Sequence, residues 1–270
     1  MDEGTPLTTI QREKEEEIIA LKDYFPYLRI MSSKWGRIVV IIIVNIVVLT
    51  NIALLFSFLT VNIDLKPNTA SNQGFSFDPN TPQFFNLHKL FMILGLCILP
   101  PNAMLIYRYK IIKLDRIILK ISHAVILLAS LLFAIAGFGI VLKIKIDSKA
   151  VNFTSIHSWF GITTIVMLAI QWLVGIVVFL IPTGMALRYK ETIMVFHRFI
   201  GLMLIILPAL TALMGISEVD GFGLEGLSLL AKFLTLGLFI QAAMVIFLLH
   251  GPGNLILKSV QEHRVERNYN

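Results

Sequence analysis

Residues 154–181 read TSIHSWFGITTIVMLAIQWLVGIVVFLI. From Ile156 to Ile181 the run contains no Asp, Glu, Lys or Arg. Its length exceeds the roughly 20 apolar residues that carry a helix across a bilayer. A histidine, His157, stands at its mouth beside Trp159. An imidazole placed at membrane depth is costly and ordinarily has a partner. The search for that partner decides how the rest of the chain is read.

Five further runs have the same character: Ile38–Leu59, Phe84–Tyr107, Ile117–Leu142, Thr192–Met214 and Leu227–Leu249. The chain has 270 residues, of which 56% are apolar, and a mean hydropathy of +0.80. The runs are continuous, unlike the alternating segments of about ten residues that build a barrel. The expectation is an all-α membrane protein with six transmembrane helices. The first 37 residues are charged and the first apolar run is a full span, so no cleavable signal peptide is expected. Residues 1–37 form an N-terminal segment, 38–250 the six-helix core and 251–270 a tail. QREKEEEIIALKDYFPYLRI (residues 11–30) suits an amphipathic helix on the membrane surface, and its YLRI (Tyr27–Ile30) fits a tyrosine-based sorting pattern.

The net charge of +6 follows membrane topology and does not argue for nucleic acid. Of the 23 basic residues, 17 lie in the N-terminal segment, the second and fourth connections and the tail. The positive-inside rule puts those parts, and both termini, in the cytosol. The long first connection, rich in Asn, Pro and Ser, falls on the other side. Asn152-Phe153-Thr154 is a glycosylation sequon, expected to lie too close to the span for use. The single cysteine, Cys97, permits no intrachain disulfide and no covalent haem attachment, and is read as a packing residue.

Of six histidines, four fall one per helix on consecutive spans: His88, His123, His157 and His197. Each sits near the start of its apolar run. Because consecutive spans run in opposite directions, His88 and His157 enter from the non-cytosolic side and His123 and His197 from the cytosolic side. They therefore form two pairs, one near each membrane face. Paired imidazoles suit bis-histidine ligation of haem iron, a metal site or a proton relay. Zinc sites usually add thiolates or carboxylates, and relays carry acids inside the spans. Between Phe84 and Met214 the only acids are Asp115, Asp147 and Glu191, all near loops. Two haems in a four-helix core of the second to fifth spans fit best. The alternative is a non-enzymatic transporter with a histidine-lined proton or metal path. Lys113, Arg116, Lys120 and His123 share one helical face, so cations line the cytosolic approach to one pair and would attract a small anionic reductant.

FNLHKLFMILG (Phe85–Gly95), YR (Tyr107-Arg108), KISH (Lys120–His123), SIHSWFG (Ser155–Gly161), VFLIP (Val178–Pro182), FHRFIG (Phe196–Gly201) and ALMGISE (Ala212–Glu218) resemble the cytochrome b561 family of transmembrane ascorbate-dependent oxidoreductases. The resemblance runs from about Phe84 through the last span. It implies two non-covalent b haems, one held by His88 and His157, the other by His123 and His197. It implies electron transfer from cytosolic ascorbate to monodehydroascorbate or ferric iron on the far side. Lys113, Arg116 and Lys120, with Arg108 nearby, correspond to the family's cytosolic ascorbate site. Asn152 and Ser155 match its pattern at the non-cytosolic mouth and are expected to hydrogen-bond an acceptor there. It further implies a homodimer, in an endolysosomal, vesicle or plasma membrane. Two positions depart from the family pattern. Lys89 follows His88 where proline is common, and Thr154 stands where tyrosine is common. Both leave the four histidines intact and bear on the outer acceptor, which Lys89 would attract if it were anionic.

Overall fold

The computed structural model describes residues 19, 34–60, 73–108, 115–181, 184–220 and 229–250. Chain contacts divide the molecule into two units, Val44–Leu249 and Met1–Ile43 with His250–Asn270. Of the second unit, Ile19, Lys34–Ile43 and His250 are described, all helical. Apart from Ile19, the expected surface helix over residues 11–30 lies outside the described residues, as do Lys113 and the tail.

Among the described residues, six helices are long and apolar enough to cross a membrane. They are α1 (Lys34–Thr60), α2 (Phe84–Leu105), α3 (Arg116–Asp147), α4 (Ile156–Leu180), α5 (Leu187–Asp220) and α6 (Leu229–His250). The apolar runs become helices because lipid offers the backbone no other hydrogen-bond partner. Helices α2 to α5 close into a ring, α2 against α3, α3 against α4, α4 against α5 and α5 back against α2. Leu96, Ala103, Leu127, Ala134, Ile165, Leu168 and Leu204 fill the space between them.

Two helices run past the apolar segments that announced them. Helix α3 continues to Asp147, where Lys143 and Asp147 pair at 2.8 Å one turn apart. Helix α5 begins at Leu187 rather than Thr192, and Arg188 lies over the Tyr189 ring at 4.7 Å. Polar residues in water extend a helix as readily as apolar ones in lipid when neighbouring turns pair. His197 accordingly sits about three turns into its helix, though only five residues into the apolar run.

Wide turns interrupt α2 at Ile93–Ile98 and α4 at Ile176–Leu180. In α2 the cause is local. Pro100 and Pro101 follow, lack N–H groups and crowd the carbonyls of the preceding turn. Pro101 cannot donate to the Cys97 carbonyl, and Gln241 of α6 does so at 3.1 Å. The Gln241 side-chain oxygen accepts from Asn51 Nδ2 at 2.9 Å, which also reaches the Gly237 carbonyl at 3.0 Å. This buried chain ties α1 and α6 to the wide turn of α2. Any side chain at Gly237 would collide with Asn51 Oδ1. Gln241→Leu leaves the Cys97 carbonyl and one Asn51 bond unmet, and is expected to cost about 1–2 kcal/mol. Thermal unfolding in detergent measures it.

Gly95 lies inside the same wide turn. A Cβ there would stand 2.9 Å from that of Phe133 and 3.0 Å from the Ser130 carbonyl. The missing side chain lets the α2 and α3 backbones approach, and Ser130 Oγ donates to the Gly95 carbonyl.

Candidate functional site

His88 lies one turn into α2 and is buried. Its Nδ1 meets the Gly137 carbonyl of α3 at 2.8 Å. His157 lies in the first turn of α4, and its Nδ1 meets the Thr211 carbonyl of α5 at 2.9 Å. A carbonyl oxygen only accepts, so in both rings Nδ1 carries the proton and donates it. Nε2 is then the bare nitrogen, a lone pair fixed in direction by the opposite bond.

The His88 and His157 rings face each other with centroids 6.4 Å apart and planes at 84°. Two imidazoles that share one metal atom, at about 2 Å from each nitrogen, set their ring centres about 6 Å apart. The pair therefore has both the donor atoms and the spacing for one iron between them. Phe85 stacks on the His88 ring, with centroids 5.4 Å apart and planes at 17°. Gly215 makes room for His157, since a Cβ there would stand 2.6 Å from its Cε1.

The other two histidines, His123 and His197, are placed around α4. His123 of α3 donates from Nδ1 to the Ala103 carbonyl at 2.8 Å, which again leaves Nε2 bare. Trp172 of α4 donates to the Ala124 carbonyl at 2.9 Å, fixing the turn that carries His123. The neighbouring Gln171 donates to the His197 carbonyl of α5. Phe179 meets the His197 ring edge-on, with centroids 5.2 Å apart. Tyr107 lies beside His123 at 5.3 Å, and burial raises its phenol above the usual tyrosine pKa. His197 Nδ1 is buried with no hydrogen-bond partner among the described residues. Among the described residues no three metal-capable side chains converge. Histidine pairs are the repeating unit, and they fit haem iron, which takes four further nitrogens from its own ring.

Among the expected cationic residues, Arg116 opens α3 and Lys120 lies one turn later, both exposed. Lys120 Nζ donates to the Phe179 carbonyl in the wide turn of α4 at 2.9 Å. It thereby links the cationic face to the ring that touches His197. Arg108 ends the short turn after α2. At the other mouth Asn152 is exposed. The Ser155 hydroxyl caps α4, accepting from Ser158 N at 3.2 Å and meeting Ser158 Oγ at 2.8 Å. Phe153 holds a left-handed backbone, φ 56°, against Phe138 and Trp159 at 6.3 and 6.0 Å. Trp159 is 61% exposed, as suits an anchor at the membrane surface.

The family model for eukaryotic cytochrome b561 matches residues 87–223, a stretch that contains all four histidines. The chain belongs to this family. A relative from Arabidopsis thaliana, transmembrane ascorbate ferrireductase 2, is 29% identical over 172 residues, 64% of this chain and 73% of that protein. The lysosomal membrane ascorbate-dependent ferrireductase CYB561A3 of Danio rerio is 32% identical over 155 residues, 56% of this chain and 61% of that protein. The transmembrane ascorbate-dependent reductase CYB561 of Homo sapiens is 34% identical over 142 residues, 53% of this chain and 56% of that protein. The chain thus spans less than two thirds of the zebrafish and human relatives. Family membership implies haem b, and the donor set described above suits it.

The sequence singles out the four histidines and the pairing expected of them. It does not disclose what aims them. The carbonyls of Ala103, Gly137 and Thr211 carry no signal, since every residue has one. Gly215 sits within a motif but reads as an ordinary helix-packing glycine.

Proposed function

We propose that this chain is an oxidoreductase that carries single electrons from cytosolic ascorbate across a membrane. The acceptor on the far side is monodehydroascorbate or a ferric chelate. Two b haems serve it, one between His88 and His157, the other between His123 and His197. The observation that carries the reading is the outer pair: two rings 6.4 Å apart, with their Nδ1 protons on backbone carbonyls and their Nε2 atoms bare. The names of the relatives, ascorbate-dependent reductases and ferrireductases, support the donor and the class of reaction. When bound, haem b supplies an iron that takes and passes one electron at a time.

The chain's own residues do the rest. The three carbonyl bonds orient His123, His88 and His157, so that little reorganisation accompanies a change of iron charge. Arg116 and Lys120, joined by Arg108 and Lys113, attract ascorbate, an anion at neutral pH, to the cytosolic end. Asn152, with Ser155 at the α4 cap, serves the outer acceptor. The proposal takes both termini as cytosolic, the membrane as endolysosomal, vesicular or plasma, and the assembly as a homodimer. Residues 1–37 and 251–270 flank the working core of 38–250.

Arg116→Ala and Lys120→Met are each expected to raise the KM for ascorbate about five- to tenfold, the worth of one charge-assisted contact. Steady-state reduction assays measure it, and Lys143→Met at the opposite end of α3 is expected to leave that KM unchanged. The proposal as a whole is tested in proteoliposomes loaded with ascorbate and offered external ferric chelate or monodehydroascorbate. Reduction outside, dependent on ascorbate inside, is expected. No reduction of either acceptor by a haem-loaded preparation would refute it.

A further inference from the structure

Lys89 follows His88 on α2 and is half-buried. Its ammonium is held on several sides. Nζ donates to Asn86 Oδ1 at 3.1 Å. It lies 5.2 Å from the centre of the Phe85 ring and 5.5 Å from that of Phe58 on α1. Asn86 is itself buried and donates Nδ2 to the Gly74 carbonyl at 2.9 Å, so the loop before α2 joins the enclosure. Phe85 is also the ring that stacks on His88 at 5.4 Å. A single aromatic ring therefore separates a fixed positive charge from one of the outer imidazoles. A surface lysine would sweep through water on a flexible stem. This one is tied to two helices and a loop.

We propose that Lys89 is a positioning residue that raises the reduction potential of the haem held by His88 and His157. The inference rests on the function proposed above. An iron centre that accepts one electron loses one unit of positive charge. A fixed cation nearby repels the more positive, oxidised form and so favours the reduced one. In a partly desolvated enclosure that preference is not screened away as it is at an exposed surface. The electron comes from the cytosolic site, which is oxidised by one as the outer site is reduced by one. The effect of Lys89 is to pull that exchange outward. Charge near a cofactor is among the means by which a protein sets its electronics.

The test is an optical redox titration of the full-length, haem-loaded protein, with haem counted per chain. Lys89→Met keeps the length of the side chain and removes its charge. Lys89→Gln is a second neutral variant, and Lys89→Arg retains the charge. In both neutral variants the one-electron equilibrium between the two haems is expected to shift about tenfold toward the cytosolic one. That is a fall of 59 mV at the outer haem, with the inner midpoint unchanged and the arginine variant close to wild type. Neutral variants with both haems bound and wild-type midpoints would overturn the inference. So would an arginine variant that falls as far as the neutral ones, or loss of the outer haem in both neutral variants, since either result makes Lys89 a packing residue. A wild-type protein with no haem at His88 and His157 is a different failure. The haem count reveals it first, and it refutes the proposed function itself.

Discussion

His157→Ala is expected to remove one haem of two and to cut electron transfer across the membrane more than about 100-fold. Loss of a fixed partner behind a metal ligand already costs about 10–100-fold in affinity, and removal of the ligand itself costs more. Among the described side chains no other histidine is placed to substitute. His123 and His197 stand away from this pair, where the His123 ring donates to the Ala103 carbonyl and the Gln171 side chain donates to the His197 carbonyl. The cytosolic centre is therefore expected to keep its low-spin spectrum and its reduction by ascorbate. Haem analysis and a reduced-minus-oxidised spectrum of the purified variant measure both parts. Retention of both haems would break the assigned pairing, and loss of both would show that the two sites are not independent.

Gly215→Ala is expected to do nearly the same damage by adding one methyl group. The new Cβ would lie 2.6 Å from Cε1 and 3.0 Å from Nδ1 of His157, well inside contact distance. Either α5 moves away or the imidazole swings off the Thr211 carbonyl and loses the bond that aims it. The expected result is a 10- to 100-fold loss of affinity for the outer haem, with the cytosolic haem unaffected. Gly139→Ala provides the control, because a Cβ there meets nothing within 4 Å and alanine is the better helix former. A Gly215→Ala protein that binds both haems at wild-type strength would show that His157 is not held where the structure places it.

These two substitutions mark the boundary of what the sequence discloses. The six spans were legible because a bilayer forces long apolar runs to be helices. The expected pairing of histidines follows from antiparallel spans that alternate in direction. The extent of α5 was not legible, since Arg188 and Tyr189 continue the helix outside its apolar run. Gly215 was not, because its meaning lies in a ring contributed by another helix 58 residues earlier in the chain. Lys120 was read as part of a cationic face. Nothing in its spacing announces that its ammonium also grips the Phe179 carbonyl. The link from Asn51 through Gln241 to the Cys97 carbonyl joins residues up to 190 positions apart and leaves no periodic trace. What periodicity and topology determine can be read from one chain. Contacts between backbone atoms and distant side chains require the fold.

The central claim is that each membrane face carries one haem between two histidines. The most direct measurement is the haem content of the purified wild-type chain, counted as b haem per polypeptide, together with the spectrum before and after ascorbate. Two low-spin b haems per chain are expected, at least one of them reduced by ascorbate. A folded, active preparation that is colourless, or that carries a single haem per chain, would contradict it.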